Sequence, residues 1–162
     1  MTNRELSANI KNELKAAGIG TKAVRISVKD SGHSTAVRVR ILSPVVSAES
    51  IRRILAHYES IDRDERTGEI LAGGNLYLFV EYDDGIFDVV SQEWAATAQG
   101  VLTSREETTR IFDGLYLINW EHSGRLSVRQ QNSVYSGNIS INGLSDLCKC
   151  IYKFVRFGSI AA

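Results

Sequence analysis

Asp62, Asp64 and Glu69 stand close together in the stretch Glu59-Ser-Ile-Asp62-Arg-Asp64-Glu65-Arg-Thr-Gly-Glu69. In an extended chain the side chains repeat every two residues, so Asp62 and Asp64 would share a face. With Glu69 they would offer the hard oxygen donors that hold Mg²⁺ for phosphodiester hydrolysis. Arg63 and Arg66 interrupt the cluster, however, and no His or Lys stands within it to move a proton. The spacing also differs from that of a helix-loop-helix calcium site. No metal is expected here. The same carboxylates read as a solvated turn or as an acidic surface for protein contact.

Other chemistry-bearing residue types give weaker patterns. Gly68-Glu-Ile-Leu-Ala-Gly73-Gly74-Asn75 is rich in glycine, but it precedes a strand and no Lys, Ser or Thr follows its glycines. A phosphate cradle needs the opposite order, strand then loop then helix. Gly73-Gly74-Asn75 therefore reads as a tight turn with positive φ. His33, His57 and His122 are too dispersed for ligand spacing. No Gly-x-Ser-x-Gly occurs. Cys148 and Cys150 lie two apart in a helical stretch, about 200° around its axis, which keeps them from pairing. They read as small core residues of a reducing compartment, with no base placed to activate Cys148. The chain is expected to be non-enzymatic and to use no cofactor.

The charges are sorted along the chain. Residues 1–58 hold ten Lys/Arg against four Asp/Glu, residues 59–121 four against fourteen, and residues 122–162 five against one. The whole has no net charge, so it has no general affinity for nucleic acid. Clustered like charges nevertheless add their fields and steer a partner of opposite sign. The acidic block points to Asp62, Asp64, Glu65, Glu69, Asp83, Asp84 and Asp88 as a contact surface for a basic protein partner.

These residues must be placed by elements read from periodicity. Leu6, Ile10, Leu14 and Ala17 predict an amphipathic helix over residues 5–17, stopped by Gly18. Val24, Ile26 and Val28 alternate with polar residues over 23–29, and Val37, Val39 and Ile41 do so over 35–42. With the turn at 30–34 they make a hairpin, whose outer face carries Arg25, Lys29, Arg38 and Arg40. These four could contact phosphates, although the hairpin itself has no aromatic residue for base stacking. Ser47 caps a second helix, 48–58. A polar excursion over 59–74, in hairpin form or irregular, leads to a strand at 76–82 and a turn at Asp83-Asp84-Gly85.

Further along, residues 89–102 read as helix, 110–120 as strand broken at Asp113-Gly114, and 125–130 as strand. Residues 133–141 read as a short extended piece and 144–157 as a final helix capped by Asn142 or Ser145. Paired strands flanked by helices indicate an α+β fold with antiparallel sheet. Two helix-hairpin-helix halves, 1–84 and 85–162, would share one compact unit. Helix, hairpin, helix and a third strand are also similar in outline to an RNA-binding α+β module.

With 162 residues, 43% hydrophobic and 23% charged, the chain can bury a sizeable core. Its apolar runs are far too short for a bilayer span, and its polar N-terminus lacks a signal core. A cytoplasmic location is the expectation.

Several stretches of the first half resemble the large polyvalent protein-associated domains carried by phages and plasmids. They are Ile10-Lys-Asn-Glu-Leu-Lys, Val24-Arg-Ile-Ser-Val-Lys, Val37-Arg-Val-Arg-Ile and Ile51-Arg-Arg-Ile-Leu-Ala. The most distinctive is Thr67-Gly-Glu-Ile-Leu-Ala-Gly-Gly-Asn-Leu-Tyr-Leu-Phe-Val-Glu-Tyr. The resemblance implies a mobile-element protein acting inside a bacterial host, as an anti-CRISPR or anti-restriction inhibitor. Its partner would be the basic, nucleic-acid-binding groove of a defence complex such as a CRISPR effector. The alternative is a small RNA- or DNA-binding module that uses the basic hairpin.

Overall fold

Thr2 starts the first helix. Its hydroxyl accepts from the Glu5 amide, and the Glu5 carboxylate accepts from the Thr2 amide. This reciprocal cap sets α1 at Asn3–Ala16, earlier than apolar periodicity alone places it. The computed structural model describes residues 1–120, 123–131 and 138–161. They form two compact units, Met1–Ile86 and Phe87–Ala162, both α+β in character.

In the first unit β1 (Val24–Asp30) and β2 (Ser34–Ile41) pair antiparallel. Asp30 closes the turn between them by accepting from the Gly32 amide at 2.8 Å. Ser47 caps α2 (Ala48–Leu55), and the chain tightens into a 3-10 turn at Ala56–Tyr58, where continued α-helix is expected from sequence. Next comes β3 (Asn75–Tyr82), which lies beside β2, in the order β1-β2-β3.

The β2–β3 pairing is parallel, with Ser34 opposite Asn75 and Ile41 opposite Tyr82. The expectation of antiparallel pairing thus holds for the hairpin and not for this joint. The physical reason is the crossover. Helix α2 and residues 59–74 return the chain to the end of the sheet where β2 begins, which is the long crossover that parallel neighbours need.

Helices α1 and α2 cover one face of the sheet. Leu6, Ile10 and Leu14 of α1 and Ile51 and Leu55 of α2 are buried against Val37, Val39, Ile41 and Val80. Tyr82 anchors α2 by accepting from the Ala48 amide and donating to the Val46 carbonyl.

In the second unit a 3-10 turn at Val90–Trp94 runs into α3 (Ala95–Leu102), where sequence suggests one continuous helix. Four strands follow: β4 (Thr108–Phe112), β5 (Leu115–Trp120), β6 (Arg125–Gln130) and β7 (Asn138–Ile141). They pair antiparallel in consecutive order, with the Asp113-Gly114 turn between the first two. Much of the extended piece expected over 133–141 lies outside the described residues.

Helix α4 (Leu144–Phe157) has Gly143 at its N-cap, not Asn142 or Ser145. Asp146 supplies the acceptor instead, taking bonds from the Asn142 amide and side chain. Gly158, at φ 72°, ends the helix in the left-handed conformation. Leu115, Leu117, Val128, Leu147 and Ile151 form this unit's core. The units differ in topology, three mixed strands in one and a four-stranded meander in the other. No helix among the described residues is long and apolar enough to cross a membrane.

Candidate functional site

Strand alternation that buries Val37, Val39 and Ile41 turns the intervening residues to the other side of the first sheet, away from α1 and α2. Three rows result. Arg25 lies opposite Arg40, and Arg40 opposite Glu81; Ser27, Arg38 and Phe79 make the second row; Lys29, Ala36 and Tyr77 make the third. With strands about 4.8 Å apart, each row is roughly 10 Å wide.

The sequence-predicted basic residues Arg25, Lys29, Arg38 and Arg40 thus do share one open face. Beside them stand two aromatic residues that sequence reasoning missed, Tyr77 and Phe79. Their rings are stacked at 6.4 Å between centroids, tilted by 28°. The Arg38 guanidinium carbon lies 5.5 Å from the Phe79 centroid. Phe79 is 44% exposed, an uncommon position for a ring that nothing in the core requires. Alternation in Leu76-Tyr-Leu-Phe-Val-Glu carries the signal for an outward Tyr77/Phe79 pair. The parallel register that puts this pair beside Arg38 is not visible in sequence.

Charge on this face is partly balanced. Arg40 is 3.4 Å from Glu81 and 3.5 Å from Asp83. Such exposed pairs contribute about 0–1 kcal/mol. Arg25, Lys29 and Arg38 form no ion pair among the described residues, so the face keeps a positive excess.

The seven carboxylates expected to form one docking surface do not stand together as unpaired charges. Asp83 pairs with Arg40, and Asp88, in the second unit, pairs with Lys149 at 2.7 Å. Asp64 accepts from the Arg66 amide at 2.9 Å, the Thr67 amide at 2.7 Å and the Thr67 hydroxyl at 3.1 Å. These bonds hold its carboxyl below the usual carboxylate range. Three of the seven, Asp64, Asp83 and Asp88, are thus engaged by amides or cations on separate segments. Asp62, Glu65, Glu69 and Asp84 remain exposed, without an ion pair among the described residues.

Residues 59–74 make an arm pinned by isolated bridges from Ser60 to Leu76 and from Arg63 to Ile70. Buried Asn75 ties its base, accepting from the Asp62 amide and donating to the Leu71 carbonyl, both at 2.7 Å. Gly73 and Gly74 take positive φ, as the turn requires. Among the described residues no three His, Cys, Asp or Glu come close enough to hold a metal ion.

The remaining reactive groups serve packing. Tyr58 donates to Glu13, and His57 lies 3.3 Å from the same carboxylate, joining α2's end to α1. Cys148 and Cys150 are buried, and burial pushes both thiols up, Cys150 to about 11. His122 lies outside the described residues.

Comparison of the chain with protein-family models, with curated proteins and with solved structures gave no match.

Proposed function

We propose that the open face of β1, β2 and β3 binds single-stranded nucleic acid. Tyr77 and Phe79 stack bases, while Arg25, Lys29 and Arg38 neutralise phosphates. The reading is that of a binding module and not of an enzyme. One observation carries it: Arg38 and Phe79 face each other across paired strands, with Tyr77 stacked alongside and both rings on the solvent side.

A flat sheet with outward rings suits unpaired bases, because bases in a duplex are already stacked on one another. The local excess of arginine supplies the electrostatic part that an overall neutral chain lacks. Fluorescence anisotropy of a labelled single-stranded oligonucleotide at increasing salt tests the proposal. Binding that weakens with salt and is lost in the Tyr77→Ala/Phe79→Ala double variant supports it. No binding at low salt overturns it.

The exposed arm favours a second reading. Asp62, Glu65 and Glu69 flank Ile70, 48% exposed, and Leu71, 41% exposed, on a segment held by defined hydrogen bonds. An acidic arm with an apolar edge is suited to the basic groove of a defence complex, in line with the resemblance to mobile-element domains. Charge reversal at Asp62, Glu65 and Glu69 would abolish capture of such a partner from bacterial lysate. Unchanged capture would exclude the arm.

A further inference from the structure

The second unit carries a comparable surface that the reading above does not use. On the sheet face away from α4, the register aligns Trp120 with Arg125, Ile118 with Ser127 and Ser140, and Tyr116 with Arg129 and Asn138. The Trp120 indole donates to the Ser127 hydroxyl at 3.0 Å. That bond ties the indole to the Ile118–Ser127 row, and both of those residues are buried. Trp120 is still 45% exposed.

Beside it lies a recess of about 310 Å³ lined by Trp120, Arg125, Ser127, Asn138 and Ser140, among others. This is at the small end of the range for ligand pockets, roughly 300–1,000 Å³, and suits one planar ring with its substituents. The four strands contain no Asp or Glu at all. Arg110 is neutralised by Asp113 at 3.0 Å. Arg125 and Arg129 have no carboxylate partner among the described residues, and Arg129 donates to Asn138 at 3.1 Å.

An exposed Trp120, hydroxyl and amide groups at the recess wall, and Arg125 without a carboxylate partner among the described residues suit a ligand that is both aromatic and anionic. We infer that this recess binds a nucleotide, its base stacked on Trp120 and its phosphate held by Arg125. Arginine suits phosphate through its planar fork of donors, and stacking on tryptophan accepts any base. The source is either a free nucleotide or one residue of a strand; the chemistry is shared.

The named residues of this site all belong to the second unit, so its test is separable from that of the first. The chain has two tryptophans, and Trp94→Phe leaves Trp120 as the only indole. In that background the protein is titrated with thymidine monophosphate and, separately, with a short oligothymidylate. The expected result is quenching of Trp120 emission, with the half-point moved about tenfold upward by Arg125→Ala. Quenching by both ligands identifies the free nucleotide as sufficient; quenching by the oligonucleotide alone identifies the strand. Either supports the site. Because Arg125 is exposed, its removal should leave the far-ultraviolet circular dichroism unchanged.

Emission that responds to neither ligand overturns the inference, as does quenching that is indifferent to Arg125→Ala. Repeating the mononucleotide titration in Tyr77→Ala/Phe79→Ala separates the two sheets. Quenching retained there locates the site in the second unit whatever the first one binds. Oligonucleotide binding by anisotropy without any Trp120 response sinks this inference and leaves the first proposal standing.

Discussion

Arg38 and Phe79 sit directly opposite each other on parallel strands, guanidinium carbon 5.5 Å from ring centroid. The pair joins a cation to a stacking platform in a single row of the sheet. A cation–π contact at an exposed site is worth about 0.5–1 kcal/mol, too little to explain why a phenylalanine stands outside the core. The proposed single-stranded ligand would use both groups at once.

Removing the ring should therefore cost binding and spare stability. Phe79→Ala is expected to weaken single-strand affinity by about 1–3 kcal/mol, the usual worth of one base stacked on an aromatic side chain. Its thermal midpoint should move little, because the ring is outside the buried cluster. Arg38→Ala should weaken binding to all sequences alike and lower the salt slope by about 1. Anisotropy titrations at several salt concentrations measure both.

Among the described residues, Arg40 is the one basic residue of this face held by the protein's own acids, Glu81 and Asp83. Neutralising both, in Glu81→Gln/Asp83→Asn, should free it for phosphate and remove two repelling charges. Affinity is expected to rise by about two- to fivefold, the range set by weak exposed ion pairs. A fall in affinity would show that the acids position Arg40 for its ligand.

What the sequence revealed of this site follows the range of the interactions involved. Period-two alternation is local, so the strands holding Arg25, Lys29, Arg38 and Arg40, and their common face, could be read directly. The parallel joining of β2 to β3 depends on a crossover of more than thirty residues (42 to 74) and leaves no periodic trace. Hence the hairpin, which has no Phe, Tyr or Trp of its own, gives no sign of the Tyr77/Phe79 pair that β3 sets beside it. The same limit applies to charge. A run of carboxylates is plain in sequence, but Arg40 reaching Asp83 and Lys149 reaching Asp88 are contacts across 43 and 61 residues. The Thr2–Glu5 capping box is legible in principle, its partners being three residues apart, and sets the start of α1.

Asn75 should control the arm more than the sheet. It is 4% exposed and satisfies one amide and one carbonyl of residues 62 and 71. Asn75→Ala leaves both backbone groups without a partner, at about 1–3 kcal/mol each unless the arm opens to water. Opening is the cheaper outcome. Hydrogen exchange at the Asp62, Asp64 and Leu71 amides should accelerate while the β1 and β2 amides stay protected. If the arm carries the acidic docking surface, capture of its partner should fall in the same variant.

Acid should loosen the tip of that arm. Hydrogen bonds from Thr67 and Arg66 lower the Asp64 pKa in the folded protein relative to its ordinary value of 3.8. A depressed carboxylate contributes its stabilisation fully above the unfolded value and loses it as pH falls through the lowered folded value. The Thr67 and Arg66 amide resonances should therefore hold their positions through pH 5 and shift only in strongly acid solution, below about 4. In Asp64→Ala they should occupy the loosened position at every pH.

The two thiols give a test at the alkaline end. Burial raises both, and Cys150 reaches about 11 from an ordinary 9.0. Thiolate is the nucleophile, so at pH 8 neither thiol should react with a disulfide reagent in the native protein, while both react at once in denaturant. The sign of the stability effect is opposite to that of Asp64. A raised pKa favours the folded state fully below the unfolded value, and the benefit is lost as pH climbs from about 9 to about 11. Cys150→Ala should therefore lower stability near neutrality through the cavity it leaves and flatten the decline above pH 9. Denaturant titrations at pH 7 and pH 10 on both proteins measure the two effects. A native-state labelling rate equal to the denatured one would mean that α4 opens readily, and the buried contacts of Leu147 and Ile151 with the strands would then be no barrier to exposure.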